Sequence, residues 1–183
     1  MMTSLPEIVN FSQNKTRVLL FTSLESVSNL VLDILHFNGK NFDYFLKNRE
    51  LNEPENDFVI LETSDVERAS AFLPNIVFIS DEYDFSEVDA IFKNIISGGI
   101  LVYPKKLEQK IDELPFFFRK LPFSNAEFKK DHHQIILQTE MGLIPINSSD
   151  ENLVKNLEGI KLLSQQFGVL NEEFYEPVMG FNG

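Results

Sequence analysis

Short apolar runs alternate with amphipathic helical runs from Arg17 to Leu114, and this order constrains the fold more than any other feature. A strand followed by a helix and then another strand must cross over, so the sheet is at least partly parallel. Arg17 to Thr22 is a nearly continuous apolar run, as in strands buried on both faces. A helix is predicted from about Glu25 to Phe37, with Val27, Leu30, Val31, Ile34 and Leu35 at helical spacing. Gly39 stops it. Asn41 to Leu46 reads as a short strand and Asn48 to Asn56 as a polar loop. Asp57 to Glu62 and Asn75 to Ser80 are further strands. Ser86 to Ser97 is helical, Gly98-Gly99 ends it, and Ile100 to Tyr103 begins another strand. Lys105 to Leu114 is a short charged helix.

After Leu114 the character changes. Phe116 to Phe123 reads as a strand. His133 to Thr139 and Leu143 to Ile146 read as a hairpin around Glu140-Met141-Gly142. Asp150 to Phe167 is the strongest helix, with Leu153, Leu157, Ile160, Leu163 and Phe167 as its stripe and Ser149 or Asp150 as its cap. A last helix, Asn171 to Met179, starts at an Asn cap and carries an awkward Pro177. The expected fold is α/β: a mostly parallel sheet flanked by helices, with a small antiparallel annex. The expected organisation is one domain over 1–183, with the parallel part at about 15–114, the annex at about 115–147 and the C-terminal helices at about 150–180.

Composition excludes several functions. The net charge of −12 repels phosphate backbones and anionic lipid headgroups, so neither nucleic acid nor membrane is an expected partner. There is no cysteine for a disulfide or a thiolate metal site. Met1 to Asn14 lacks a basic start followed by an apolar stretch, and no apolar run reaches bilayer length. The expected location is the cytoplasm. Phenylalanine occurs 18 times. Most of these rings belong in the core, and a surplus would face a partner.

The first strand-to-helix connection decides most about chemistry. A nucleotide-binding α/β domain places glycines there, so that backbone N–H groups reach phosphates, and a lysine to neutralise them. Here it reads Thr22-Ser23-Leu24-Glu25-Ser26-Val27-Ser28, and Arg17 to Leu35 holds neither glycine nor lysine. Glu25 suits the helix dipole and opposes phosphate. Gly39-Lys40 follows the helix and reads as its stop. Glu62 ends a strand where open α/β sheets place ligand-binding groups. It reads as a solvated strand-end carboxylate or as such a group. Asp81-Glu82-Tyr83-Asp84 follows the next strand. It reads as a turn with helix-capping acids before it reads as a Mg²⁺ or Ca²⁺ site. In Asp131-His132-His133, adjacent strand residues point to opposite faces and are poorly placed to chelate one metal. His36 lies near a helix end and suits its dipole. No nucleophile elbow or Ser-His-Asp set is present.

Several segments, in order, resemble the central ATPase domain of the Mur ligases, nearest to the murein tripeptide ligase branch. They are Ser4-Leu5-Pro6-Glu7, Lys15-Thr16-Arg17-Val18, Asn38 to Tyr44, Asp57 to Glu62, Pro74 to Ser80, Ser97 to Tyr103, Asn156-Leu157-Glu158-Gly159 and Phe174-Tyr175-Glu176. The likeness covers nearly the whole chain. It implies that Glu62 matches a metal-binding glutamate and Asn156 an asparagine near the nucleotide base, both as vestigial positions. The departures fall on the chemistry. The family's Gly-x-x-Gly-Lys-Thr loop is replaced by Thr22 to Ser28. Its Asp-His pair has no counterpart in Asp81 to Phe85, and its His-Asn aligns with Asn152-Leu153. Its N-terminal UDP-binding domain and C-terminal amino-acid-binding domain have no counterpart here. Ligation of this kind activates a carboxylate through an acyl phosphate and needs ATP, Mg²⁺ and all three domains.

The leading expectation is a non-catalytic Mur-ligase-like domain used for binding or regulation, with no catalytic residue, cofactor or metal. The expected partner is a second copy or another protein, docked through Phe116-Phe117-Phe118 or through Phe174 to Phe181. One alternative is a partial ATP-dependent ligase completed by a partner chain. The other is a binder of an unknown small ligand at the carboxyl edge of the sheet.

Overall fold

The computed structural model describes residues 3–183. The chain forms two compact units. One holds the chain up to Ser23 and Asn41–Pro122, and the other holds Leu24–Lys40 and Phe123–Gly183.

The first unit is built on a seven-stranded sheet. Its strands are β1 (Thr16–Phe21), β2 (Asp43–Phe45), β3 (Glu50–Leu51), β4 (Phe58–Thr63), β5 (Ile76–Ile79), β6 (Gly99–Pro104) and β7 (Phe118–Phe123). Their order is β3-β2-β4-β1-β5-β6-β7. The pairs β2–β4, β4–β1, β1–β5 and β5–β6 are parallel, and β2–β3 is antiparallel. Its helices are α1 (Leu5–Phe11), α3 (Val66–Ala71), α4 (Phe85–Phe92) and α5 (Glu108–Asp112), the last preceded by a 3₁₀ turn at Lys105–Leu107. One core joins Leu19 and Phe21 of β1, Val59 and Leu61 of β4, and Val77 and Ile79 of β5 to Ile8, Val88 and Phe92 of the helices and to Phe72 just after α3. The alternating residues Val18, Leu20, Ile60 and Phe78 are fully buried as well. Burial on both sides explains why these strands read as continuous apolar runs.

The second unit contains α2 (Glu25–Phe37), α6 (Glu151–Gln165), α7 (Asn171–Gly180) and an antiparallel sheet of β8 (Glu127–Asp131), β9 (Gln134–Thr139) and β10 (Gly142–Ile146). The stripes of α2 and α6 are buried as their spacing requires. Helix α2 packs on α6 and α7, and α7 packs on β10. Asp150 caps α6, accepting from the N–H groups of Asn152 (2.9 Å) and Leu153 (3.2 Å). Ser26 Oγ donates to the other carboxylate oxygen of Asp150 at 2.8 Å.

Several expectations need correction. Phe118–Phe123 extends the large sheet beside β6 instead of joining the annex, whose third strand is the polar β8. His132-His133 is the turn of the β8–β9 hairpin and not strand, with His132 at φ 54. Leu170, not Asn171, stands at the α7 cap, where its N–H donates to Glu173 Oε2 at 2.8 Å. Pro177 lies inside α7. Phe174, Tyr175 and Phe181 are buried, whereas Phe117 is 81% exposed. The C-terminal rings therefore fold inward. Gly39, at φ 64, ends α2, and Lys40 Nζ donates to the Gly168 carbonyl at 3.2 Å.

Candidate functional site at the carboxyl edge of the sheet

Register brings three strand ends together. Phe21 of β1 lies opposite Thr63 of β4 and Ile79 of β5. Thr22 N–H donates to the Thr63 carbonyl at 3.2 Å, and Ser80 N–H to the Phe21 carbonyl at 3.1 Å. Thr22-Ser23, Ser64 and Ser80 to Glu82 therefore emerge at one edge. The chain leaves β1 toward β2 and leaves β4 toward β5, in opposite directions along the sheet. Open α/β sheets bind ligands at such a switch point.

At the end of β1 the local donors converge on one carboxylate. Glu82 Oε1 accepts from Thr22 Oγ1 at 3.0 Å and from Ser23 N–H at 2.7 Å, and Glu82 Oε2 accepts from Ser23 Oγ at 2.8 Å. The neighbouring Tyr83 packs on Phe21 with ring centroids 4.7 Å apart. Burial, with the Glu82 charge second, pushes the Tyr83 hydroxyl up to about 12. The rest of the acidic cluster is structural. Asp84 precedes α4, its N–H donating to Glu87 Oε2 at 2.7 Å. Lys106 Nζ donates to the Asp81 carbonyl at 2.6 Å and lies 3.6 Å from the Asp84 carboxylate.

At the end of β4 the edge opens into a cavity of about 410 Å³, lined by Thr3, Leu46, Lys47, Glu62, Ser64, Arg68 and the Thr22-Ser23 and Thr63 strand ends. Glu62 is half-buried, and its Oε2 accepts from Lys47 N–H at 3.0 Å. Asp65 caps α3, accepting from the N–H groups of Glu67 (2.8 Å) and Arg68 (3.1 Å). The cap fixes the backbone from which Arg68 reaches the cavity. No described residue forms a salt bridge with Lys47 or Arg68.

Asn156 is buried on α6 in the second unit, and its Nδ2 donates to the Asn152 carbonyl at 2.9 Å, one turn back. His132 is exposed in its turn. Among the described residues, no group of three His, Asp or Glu side chains could hold a metal ion. No helix among them is long and apolar enough to cross a membrane. Sequence reasoning missed Lys47 and Arg68, and it missed that Glu82 turns back onto the first connection. The available signal was the parallel order of β1 and β5, which sends Thr22-Ser23 and Asp81-Glu82 to the same edge.

Comparison with protein-family models finds no match, and neither does comparison with curated protein sequences. Solved structures do match. The UDP-N-acetylmuramoylalanyl-D-glutamyl-2,6-diaminopimelate–D-alanyl-D-alanyl ligase of Acinetobacter baumannii superposes with a TM-score of 0.73 at 13% identity, over 98% of this chain and 49% of that one. The UDP-N-acetylmuramate:L-alanyl-γ-D-glutamyl-meso-diaminopimelate ligase of Neisseria meningitides gives 0.67 at 9% identity, over 95% and 68%. The MurF ligase of Thermotoga maritima, in complex with ADP, gives 0.65 at 12% identity, over 100% and 53%. The chain spans about half the length of most of these ligases. Its fold is that of the Mur ligase central domain.

Proposed function

We propose that this chain is a non-catalytic Mur-ligase-like domain with a binding or regulatory role linked to peptidoglycan-precursor metabolism. The observation that carries this reading is the Glu82 carboxylate, which takes up Ser23 N–H and the Thr22 and Ser23 hydroxyls. These donors stand at the connection where a nucleotide-binding domain of this fold class would meet phosphate. A phosphate arriving there would face a carboxylate at contact distance, and the segment from Arg17 to Leu35 has no lysine to offset it. The residues present therefore do not fit ATP. Losing a lysine and several backbone donors at once, at about 4 kcal/mol in all, corresponds to roughly a thousandfold in affinity. Calorimetry with Mg-ATP should give no binding below the millimolar range. A micromolar dissociation constant would overturn the reading.

Partnership is part of the same proposal. The exposed Phe117 supports docking on a second copy or another protein through the segment before β7. Light scattering at micromolar concentration checks the first of these.

A further inference from the structure

We propose that the cavity at the ends of β2 and β4 binds a small hydroxylated anion, a compact molecule carrying one carboxylate or phosphate and several hydroxyls. The proposal rests on the reading that this edge does not take ATP, and it names what the edge takes instead.

The charge pattern is the first reason. The chain carries −12 overall, yet this cavity is lined by two cations, Lys47 and Arg68, against one carboxylate, Glu62. Some cations elsewhere are spent on structure: Lys15 pairs with Asp43, Lys120 with Asp112 and Lys161 with Glu158. Lys47 and Arg68 pair with no described residue. Arg68 is half-buried on a capped helix start, so its guanidinium is offered from a fixed base. A planar fork of that kind matches a carboxylate or phosphate with two parallel bonds.

The second reason is the division of labour among the oxygens. Glu62 has one oxygen committed to Lys47 N–H, and its other oxygen is an acceptor at the cavity wall. An ionised carboxylate only accepts, so it calls for hydroxyl or amine donors on the ligand. Thr63 Oγ1 accepts from Asp65 N–H at 3.0 Å, which leaves its own hydroxyl proton to donate. Ser64 is exposed at the rim. Thr22 and Ser23, which also line the cavity, already donate their hydroxyl protons to Glu82. Buried Leu46 adds an apolar wall. The volume of about 410 Å³ falls in the range of sites for small molecules.

The test is an amide NMR titration of the full chain with four probes: gluconate, glucose 6-phosphate, acetate and glucose. Gluconate or glucose 6-phosphate should shift Lys47, Thr63, Ser64 and Arg68 with a submillimolar dissociation constant. Acetate, which lacks the hydroxyls, and glucose, which lacks the anion, should bind at least about tenfold more weakly. Tighter binding of gluconate assigns a carboxylate ligand, and tighter binding of the sugar phosphate assigns a phosphate. Arg68→Gln should weaken the anion at least about tenfold, with Lys47→Gln, at an exposed position, as the second variant. Glu62→Gln should shrink the advantage of gluconate over acetate. The inference is overturned if neither anion shifts these amides at millimolar concentration, or if both cation variants bind as the wild type does. Mg-ATP in the same spectra separates the two failures. Saturation at micromolar ATP breaks the functional reading, whereas silence toward both ATP and the anions breaks only this inference.

Discussion

The two edges of the large sheet are built from the same parallel strands, yet they treat polar groups differently. At the amino edge Asp43 and Asn75 tie polar groups together, although the buried Arg17 Nε has no hydrogen-bond partner. Asp43, with a fully buried side chain, accepts from Lys15 Nζ at 2.8 Å, Glu53 N–H at 2.6 Å and Asn56 Nδ2 at 2.9 Å. Arg17 N–H donates to Asn75 Oδ1 at 2.9 Å, and Asn75 N–H returns to the Arg17 carbonyl at 2.8 Å. Gly99 packs so tightly there that a Cβ would stand 2.5 Å from the Asn75 carbonyl oxygen. At the carboxyl edge some polar groups are closed in this way and others line a cavity. Glu82 seals the end of β1, while Lys47, Glu62 and Arg68 line open space beside β4. The difference separates stability from recognition: one edge spends its charges on holding strands in register, and the other keeps some to offer.

That contrast predicts where substitutions will be felt. The largest effect belongs to the amino edge. Asp43→Ala leaves the Lys15 ammonium, whose side chain is 10% exposed, without its carboxylate, and frees the loop bonds of Glu53 and Asn56. Breaking a buried pair from one side costs roughly 3–5 kcal/mol. Urea unfolding should show that loss, and a change under about 1 kcal/mol would mean this edge is not the rigid one.

A smaller effect is expected in alkali. Burial raises Tyr83 and Tyr103 from their ordinary value near 10 to about 12. The folded chain then holds these protons more tightly than the unfolded chain, so stability falls as pH rises from about 10 to about 12. Tyr83→Phe should make that fall shallower, and an unchanged slope in pH-dependent melting would contradict the placement of its ring. The smallest effect is at Glu62. One half-buried carboxylate holds Mg²⁺ poorly, because that ion keeps its waters and leans on phosphates. Glu62→Gln should leave the melting temperature nearly unchanged with or without Mg²⁺. A Mg²⁺-dependent rise in the wild type, abolished in the variant, would show that the carboxyl edge still works as a metal site.

Much of the fold could be read from the sequence because long apolar stripes report burial directly. Val27 to Leu35 in α2 and Leu153 to Leu163 in α6 are buried where helical spacing puts them. Short or polar elements gave no such signal. Helix α3 has six residues, β3 has two, and β8 is Glu-Phe-Lys-Lys-Asp, with one apolar residue to betray it. The seven residues of α1 bury only Ile8 fully. The site was legible as a position but not as a constellation. Glu62 was marked by ending a strand. The Glu82 contact spans 59 and 60 residues of sequence and depends on the register of β1 against β5, which no local pattern encodes. Lys47 and Arg68 look like ordinary surface charges until β2 and β4 place them around one cavity.

The central claim is that the donors at the end of β1 are committed to Glu82 and not to a nucleotide phosphate. The Ser23 amide, 2.7 Å from Glu82 Oε1, reports on this directly. Its NMR signal should stay in place as Mg-ATP is raised to millimolar concentration, and should move when Glu82 is replaced by alanine. A Ser23 amide that shifts and saturates with micromolar Mg-ATP in the wild-type chain would contradict the account.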